Sequence, residues 1–271
     1  MISVSGKIWT EQIVNKNLVE KFKQNYGLGD ILSKLIISRN YDSSEIYGIN
    51  NSQKLINIFK DDKDFIKASL ILINAINNNE NICILGDYDV DGACATSLLV
   101  RYFTHINQKH FFYIPDRTSD GYGASKKLFQ KLILKKPKLI IMVDCGSTSN
   151  EAIDYLNKHN IKSIIIDHHD INKPYPKANV IINPKKEITK TENSLLCATT
   201  LTYFFIEILI KKTESNYRIS DFLIYVLLAT VCDVMPLRKI NKIIGRNIID
   251  NFKFQNNVAL NHIFQQYNLK K

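Results

Sequence analysis

Apolar residues along this chain of 271 residues fall into two kinds of run. The first kind is short, unbroken and β-branched, covering 82–86, 111–114, 139–143, 162–166 and 180–182. Runs without polar alternation predict strands buried on both faces of a sheet. The second kind repeats apolar positions every three or four residues and predicts helices. It covers 18–26, 31–38, 63–77, 93–103, 125–134, 150–160, 197–210, 219–231 and a final stretch from 241. From residue 82 onward strands and helices alternate, which implies right-handed crossovers and a parallel sheet. The expectation is an α/β fold: a parallel sheet flanked by helices, with a helical N-terminal extension over 1–80 and a helical C-terminal segment. The last residues, 265–271, are polar and read as a frayed end.

Composition narrows the picture only a little. No apolar stretch is long enough to span a bilayer, and Met1-Ile-Ser-Val-Ser-Gly-Lys7 lacks a signal-peptide pattern, so a cytoplasmic protein without a membrane partner is expected. Five cysteines, scattered and never in a C-x-x-C pair, point to reduced thiols rather than a zinc or disulfide framework. The formal charge of +10 suits a polyanionic partner. The lysine pairs at 126–127, 135–136, 185–186 and 211–212 are dispersed, however, and read as solvated surface.

The chemistry lies just past the strands. Asp87, Asp89 and Asp91 follow the first, Asp144 the third, and Asp167-His168-His169-Asp170 the fourth. Ligand sites of doubly wound folds occupy that carboxyl edge. At period two, an extended loop would point Asp87, Asp89 and Asp91 to one side, although Asp91 could instead cap the helix that follows. Two carboxylates at roughly 4 Å repel by about 4 kcal/mol even at an effective dielectric near 20. Divalent cations remove that conflict, and carboxylates with imidazole suit Mn²⁺ or Mg²⁺ better than structural zinc. The carboxylates suffice for two ions sharing a bridging Asp. On an extended backbone His168 and His169 would point in opposite directions, one to a metal and one to substrate.

Together these residues resemble the DHH phosphoesterase superfamily, and within it the RecJ-type single-stranded-DNA exonucleases. Asp87-Tyr-Asp89-Val-Asp91-Gly92 resembles the first family motif, Val143-Asp144-Cys-Gly146 the second, and Asp167-His168-His169 the third. Residues 229–237, holding Asp233, resemble the fourth. The stretch 114–123, with Arg117 and Gly121-Tyr122-Gly123, and the N-terminal run with Trp9 and Ser38-Arg39 are similar to the RecJ type in particular. Leu85 stands where pyrophosphatase-type relatives carry a histidine, and Cys197-Ala-Thr-Thr is a bulkier form of a small-residue helix start.

The resemblance implies Asp89, Asp91, Asp144, His168 and Asp233 as metal ligands, with Asp144 bridging. It implies Asp87 and Asp167 in support, His169 beside the scissile phosphate, and Arg117, Gly121, Tyr122 and Gly123 on the nucleotide. It further implies a catalytic domain over 81–240, residues 241–271 leading toward a second domain, and two Mn²⁺ or Mg²⁺ ions. The expected activity is 5′→3′ degradation of single-stranded DNA to 5′-mononucleotides in recombination and repair. A monomer working with a single-strand-binding protein and a helicase is expected. The rival enzyme reading is a DHH hydrolase of short oligonucleotides, cyclic dinucleotides or pyrophosphate. A degenerate, non-enzymatic DNA-binding scaffold is disfavoured because every candidate ligand is retained.

Overall fold

The computed structural model describes all residues except 1, 9, 11, 52, 122, 187–191, 252–257 and 267–271. Trp9, Tyr122 and the end of the polar tail therefore lie outside the described residues. The chain forms two compact units, residues 1–53 and 54–271.

The first unit is helical. Helices α1 (Lys16–Tyr26), α2 (Asp30–Ser38) and α3 (Ser43–Asn50) accompany a small core of Leu28, Ile36 and Ile46, with Phe22, Tyr26 and Tyr41 against it. Helix α3 is not apparent from apolar periodicity. It is encoded at its start instead, where Asp42 and Glu45 form a reciprocal capping box.

The second unit is built on five parallel strands in the order β2-β1-β3-β4-β5: β1 (Ile82–Gly86), β2 (His110–Tyr113), β3 (Leu139–Val143), β4 (Lys162–Ile166) and β5 (Val180–Ile182). Each strand sends alternate residues to opposite sides. At β1, β3, β4 and β5 both sides are covered, which is why they read as unbroken apolar runs. The edge strand β2, at 110–113 rather than 111–114, is covered only in part, and Phe112 is 53% exposed. Ile82, Ile84, Leu139, Ile141, Ile164 and Val180 share one core with α4 (Lys63–Asn77), α5 (Val90–His105), α8 (Ala198–Thr213) and α9 (Leu223–Cys232). Cys83, Leu85, Ile140, Met142 and Ile165 share the other with α6 (Lys126–Leu132) and α7 (Asn150–Lys158). Leu85 is thus a core residue and faces away from any ligand. Helices α10 (Lys239–Asp250) and α11 (Val258–Gln266) follow, and Asn241 ties α10 to the Leu195 and Pro236 carbonyls. Among the described residues, no helix is long and apolar enough to cross a membrane.

Two helices differ from their sequence-based limits by more than two residues at the starting end. Helix α5 begins at Val90 rather than 93, because the Asp89 side chain accepts the Gly92 amide at 2.9 Å and caps it. The stretch 219–231 opens as a 3₁₀ turn, Ile219–Phe222, before α9.

The strand order places β2 and β3 on opposite sides of β1, so the crossovers leaving β1 and β3 diverge and open a crevice at their carboxyl ends. The turn from β1 into α5 lies in that crevice and folds very tightly. A Cβ on Gly92 would lie 2.5 Å from the Asp87 carbonyl oxygen and 2.6 Å from its nitrogen, both of them backbone atoms that cannot yield. Gly92→Ala is therefore expected to destabilise the fold by about 2–4 kcal/mol, the range of a severe steric defect. Urea unfolding measures this, and a change below about 0.5 kcal/mol would contradict the tight turn.

Candidate metal centre

Sheet register builds the first layer of the site. Gly86 is level with Val143, and Val143 with Ile166, so Asp87, Asp144 and Asp167 stand in one row just beyond three adjacent strands. The row continues the ladder: the Asp144 amide donates to the Ile166 carbonyl and the Asp167 amide to that of Ile182. All three are buried. Asp144 adopts a left-handed backbone, φ +61°, a conformation aspartate tolerates better than most residues.

Other elements complete the cluster. Asp91 lies in the first turn of α5, and its carboxylate accepts the Ala198 and Thr199 amides at 2.7 and 2.8 Å. Those are unsatisfied donors at the start of α8, where the helix dipole also favours an anion. Asp91 therefore caps α8, not the helix it sits in, which corrects the local-capping alternative. The loop is also not the continuous extended segment that period two suggested, since Asp89 caps α5 and Asp91 already lies within it. Asp233 closes α9 and precedes Val234, a β-branched residue at φ +54°. That position after a helix usually favours glycine, and strain of about 1–3 kcal/mol is commonly stored at functional sites.

These carboxylates surround one imidazole. His168 Nε2 lies 3.2 Å from Asp144, 3.4 Å from Asp233 and 3.5 Å from Asp91. Three sets offer ligand atoms within 4.8 Å of one another: Asp87, Asp89 and Asp144; Asp91, His168 and Asp233; and Asp144, His168 and His169. Asp144 belongs to two of them and touches the third through His168. The structure brings Asp87 into a ligand set with Asp89 and Asp144. Both Asp144 oxygens, both His168 ring nitrogens and one Asp233 oxygen are buried without a hydrogen-bond partner. Buried polar atoms are rarely left this way, and a cation among the carboxylates would satisfy their oxygens and His168 Nε2, the ring nitrogen that faces them. Burial, and then the charges of Asp91, Asp89 and Asp167, push the Asp144 carboxyl far above the carboxylate range. Without a cation Asp144 keeps a proton.

The two histidines do not point apart as an extended backbone would require. Their rings lie 4.8 Å apart, because the Asp167 carboxylate accepts both the His168 and His169 amides and curls the chain after β4. The same carboxylate accepts the Ser147 amide and pairs with His169 Nδ1 at 2.8 Å. Burial alone would raise the Asp167 carboxyl, but the His169 ring and Ser147 outweigh it and hold it well below the ordinary range. In return the bond to Asp167, opposed by burial, raises His169. Asp167 is in none of the three ligand sets and acts on His169.

The loop after β2 approaches from the far side of β1. Arg117 is exposed, with its guanidinium 5.6 Å from the Tyr88 ring centroid. Gly121 and Gly123 both have positive φ, while Tyr122 between them lies outside the described residues. Asp120 anchors the loop, accepting Tyr113 Oη at 2.5 Å and Lys131 Nζ at 2.7 Å. These bonds, the Lys131 one first, lower its carboxyl to about 2. Sequence reasoning missed Asn183, whose side chain donates to Ser147 Oγ at 2.8 Å and to the His169 carbonyl at 2.9 Å. Its signal was slight, a lone Asn-Pro directly after β5. Asp120 and Ser147 were missed as well.

Known proteins share this arrangement. The model of the DHH family, N-terminal domain, matches residues 81–230. The chain belongs to the DHH family. It is 23% identical over 259 residues to the single-stranded-DNA-specific exonuclease RecJ of Bacillus subtilis, covering 95% of this chain and 32% of that protein. To the protein of the same name in Escherichia coli it is 30% identical over 191 residues, 66% of this chain and 33% of the relative. The chain thus spans about a third of the length of these relatives. Among solved structures, RecJ in complex with Mn²⁺ from Thermus thermophilus aligns with a TM-score of 0.76 at 18% identity, covering 94% of this chain and 36% of that one. A second, exonuclease RecJ bound to manganese, gives 0.61 at 24% identity over 67% and 46%. At these identities the likeness is one of fold.

Two measurements probe the centre. Because the metal-free Asp144 already holds a proton, Asp144→Asn should change the melting temperature little in EDTA. With Mn²⁺ at a hundred times its Kd, the wild type should gain about 2.7 kcal/mol, and the variant should lose most of that gain. A full Mn²⁺ shift in the variant, read by differential scanning fluorimetry, would remove Asp144 from the centre. For Asp120 the sign follows from its lowered carboxyl: its stabilisation is present above the unfolded value near 4 and is lost as pH falls toward about 2. Asp120→Asn should therefore be less stable than wild type at pH 7, and the gap should close by pH 2. A gap that is independent of pH in acid unfolding curves would refute the anchor.

Proposed function

We propose that this chain carries the catalytic part of a metal-dependent phosphodiesterase that removes 5′-mononucleotides from single-stranded DNA in the 5′→3′ direction. On this reading, residues 81–240 form the catalytic domain between a helical extension over 1–80 and a helical segment over 241–271. The observation that carries it is the convergence of Asp91, Asp144 and Asp233 within 3.5 Å of His168 Nε2, with buried oxygens and nitrogens lacking partners. The all-carboxylate-and-imidazole donor set fits hard divalent ions, Mn²⁺ or Mg²⁺. The single-strand preference follows the names of the exonuclease relatives, and the polarity and the partners, a single-strand-binding protein and a helicase, rest on the motif resemblance alone. A monomer in the cytoplasm completes the proposal.

When bound by these side chains, two divalent cations would supply Lewis-acid charge to a phosphate and lower the pKa of a water. The chain's own residues do the rest. Asp89, Asp91, Asp144, His168 and Asp233 fix the ion positions, Asp144 lying between the sets, and Asp87 adds a donor on the Asp89 side. The α8 amides hold Asp91 rigid, so its ligand geometry is set before substrate arrives. Asp167 pins His169 Nδ1 and favours the imidazolium, which leaves Nε2 as the nitrogen to donate to a phosphate oxygen or leaving group. Arg117 offers a planar fork for a phosphate, and Gly121 and Gly123 allow backbone to approach it closely.

With Mn²⁺, single-stranded DNA labelled at its 5′ end should release labelled mononucleotide from the first turnover, whereas a 3′ label should stay on long products. His169→Ala should slow cleavage about 10²–10⁴-fold, the usual contribution of a positioned acid or base, and Asp144→Ala should slow it at least as much. Earlier release of the 3′ label would reverse the polarity, and retained cleavage by Asp144→Ala would end the metal assignment.

A further inference from the structure

We propose that a groove beside the acidic cluster is a base-stacking subsite for single-stranded DNA, walled by Tyr88 and Tyr225. This rests on the phosphodiesterase reading above. The groove holds about 520 Å³ and is lined by Tyr88, Asp89 and Tyr225 together with Val90, Ala93, Cys94 and Ser97 from the first turns of α5. That volume is within the range of small-molecule sites, roughly 300–1,000 Å³, so it accommodates one nucleotide.

Three features select this occupant. First, both tyrosines are half-buried, so each ring is supported by packing yet retains an accessible part. Second, each ring is paired with an exposed arginine. Arg117 lies 5.6 Å from the Tyr88 centroid, and Arg101 lies 5.8 Å from Tyr225 and 4.9 Å from Phe222. Aromatic faces with cations alongside match a base and its phosphate, the combination that binds single strands without regard to sequence. Third, the α5 residues offer little to read a base edge. Ser97 Oγ is bonded to the Ala93 carbonyl at 2.8 Å, and Val90 and Ala93 are apolar. The groove is also continuous with the metal centre, because Asp89 lines it and shares a ligand set with Asp87 and Asp144. A strand with its scissile phosphate at the carboxylates would place the neighbouring nucleotide between the tyrosines. Tyr225 stands in none of the candidate ligand sets, so its assigned role is to set substrate specificity and not to take part in the chemistry.

The test uses the full chain in Mn²⁺ with two probes. One is a fluorescein-labelled phosphorothioate oligothymidylate, whose binding is followed by anisotropy. The other is bis(p-nitrophenyl) phosphate, a diester without bases, compared with unmodified oligothymidylate in cleavage. Tyr225→Ala and Tyr225→Leu should each weaken oligonucleotide binding about tenfold, the order of one lost base–aromatic stack. The ratio of kcat/KM for oligothymidylate to that for the small diester should fall by a similar factor, and Tyr225→Phe should restore both to within about twofold. Wild-type affinity in both the Ala and Leu variants would overturn the subsite. So would a parallel loss on both diesters, which marks a structural role. If the wild type binds DNA in a Tyr225-dependent way but cleaves neither diester, the phosphodiesterase reading falls and the groove stands. If it cleaves the small diester and the Tyr225 variants match it on DNA, the groove falls and the reading stands.

Discussion

Mutual repulsion among buried carboxylates is the constraint on which the rest of this structure depends. A parallel sheet ends with its strands in register, so the residues just after β1, β3 and β4 cannot avoid one another. Here all three are aspartates, and the chain adds Asp89, Asp91 and Asp233 around them. Such a cluster persists only if each charge has a dedicated partner or a shared cation. The structure supplies dedicated partners for three of the buried ones, Asp87 accepting the Tyr88 amide. Asp91 has the α8 amides, and Asp167 has three amides and His169. Asp144 has none. The electrostatic problem is thus concentrated on one residue, and it is the residue between the ligand sets.

This division of labour explains why the elements around the centre are so tightly determined. Helix α8 is buried along most of its length, and its first amides must meet Asp91, so its start is fixed by the turn after β1. Gly92 can make that turn only because it lacks a side chain. The curl after β4 needs the Asp167 carboxylate to serve two amides and a ring together. Asn183, just beyond β5, holds the outer side of the curl by bonding Ser147 and the His169 carbonyl. The ends of β3, β4 and β5 are tied into one polar network, and the apolar layers on both faces of the sheet keep the ends level.

How much of this could be read from the sequence follows from the range of each interaction. β3, β4 and β5 are legible to the residue, because burial on both faces leaves unbroken apolar runs with abrupt polar ends. Helix α4 is equally plain, with Asp62 capping its start and apolar residues at regular spacing. The loops are different. Period two in Asp87, Asp89 and Asp91 suggested an extended segment, but the preference of α5 to start at an Asp cap overrode it. The Asp91 partners lie 107 and 108 residues away, and no local pattern announces them. The histidine pair was misjudged for a related reason: a side chain two residues back can reshape a backbone that the strand pattern alone would extend. Asn183 and Ser147 were invisible because polar residues after strands are common, and only the fold shows which ones face each other.

Asp144 and Asp167 show why residue type alone could not settle the roles. Both are buried aspartates one residue past a strand, in equivalent register, yet their carboxyls move in opposite directions. Burial acts on both in the same sense. The difference lies in neighbours: Asp167 meets N–H donors and an imidazole, whereas Asp144 meets other carboxylates. Asp167, with its donors in place, stands in none of the ligand sets, and its effect is exerted through His169. A group held among like charges without a donor must keep a proton or take a cation. A divalent ion that displaces that proton gains the whole cluster at once, so affinity should rise with pH as ligand deprotonation becomes easier. The sheet therefore makes one carboxylate a scaffold and its neighbour a ligand, with the same amino acid at the same height.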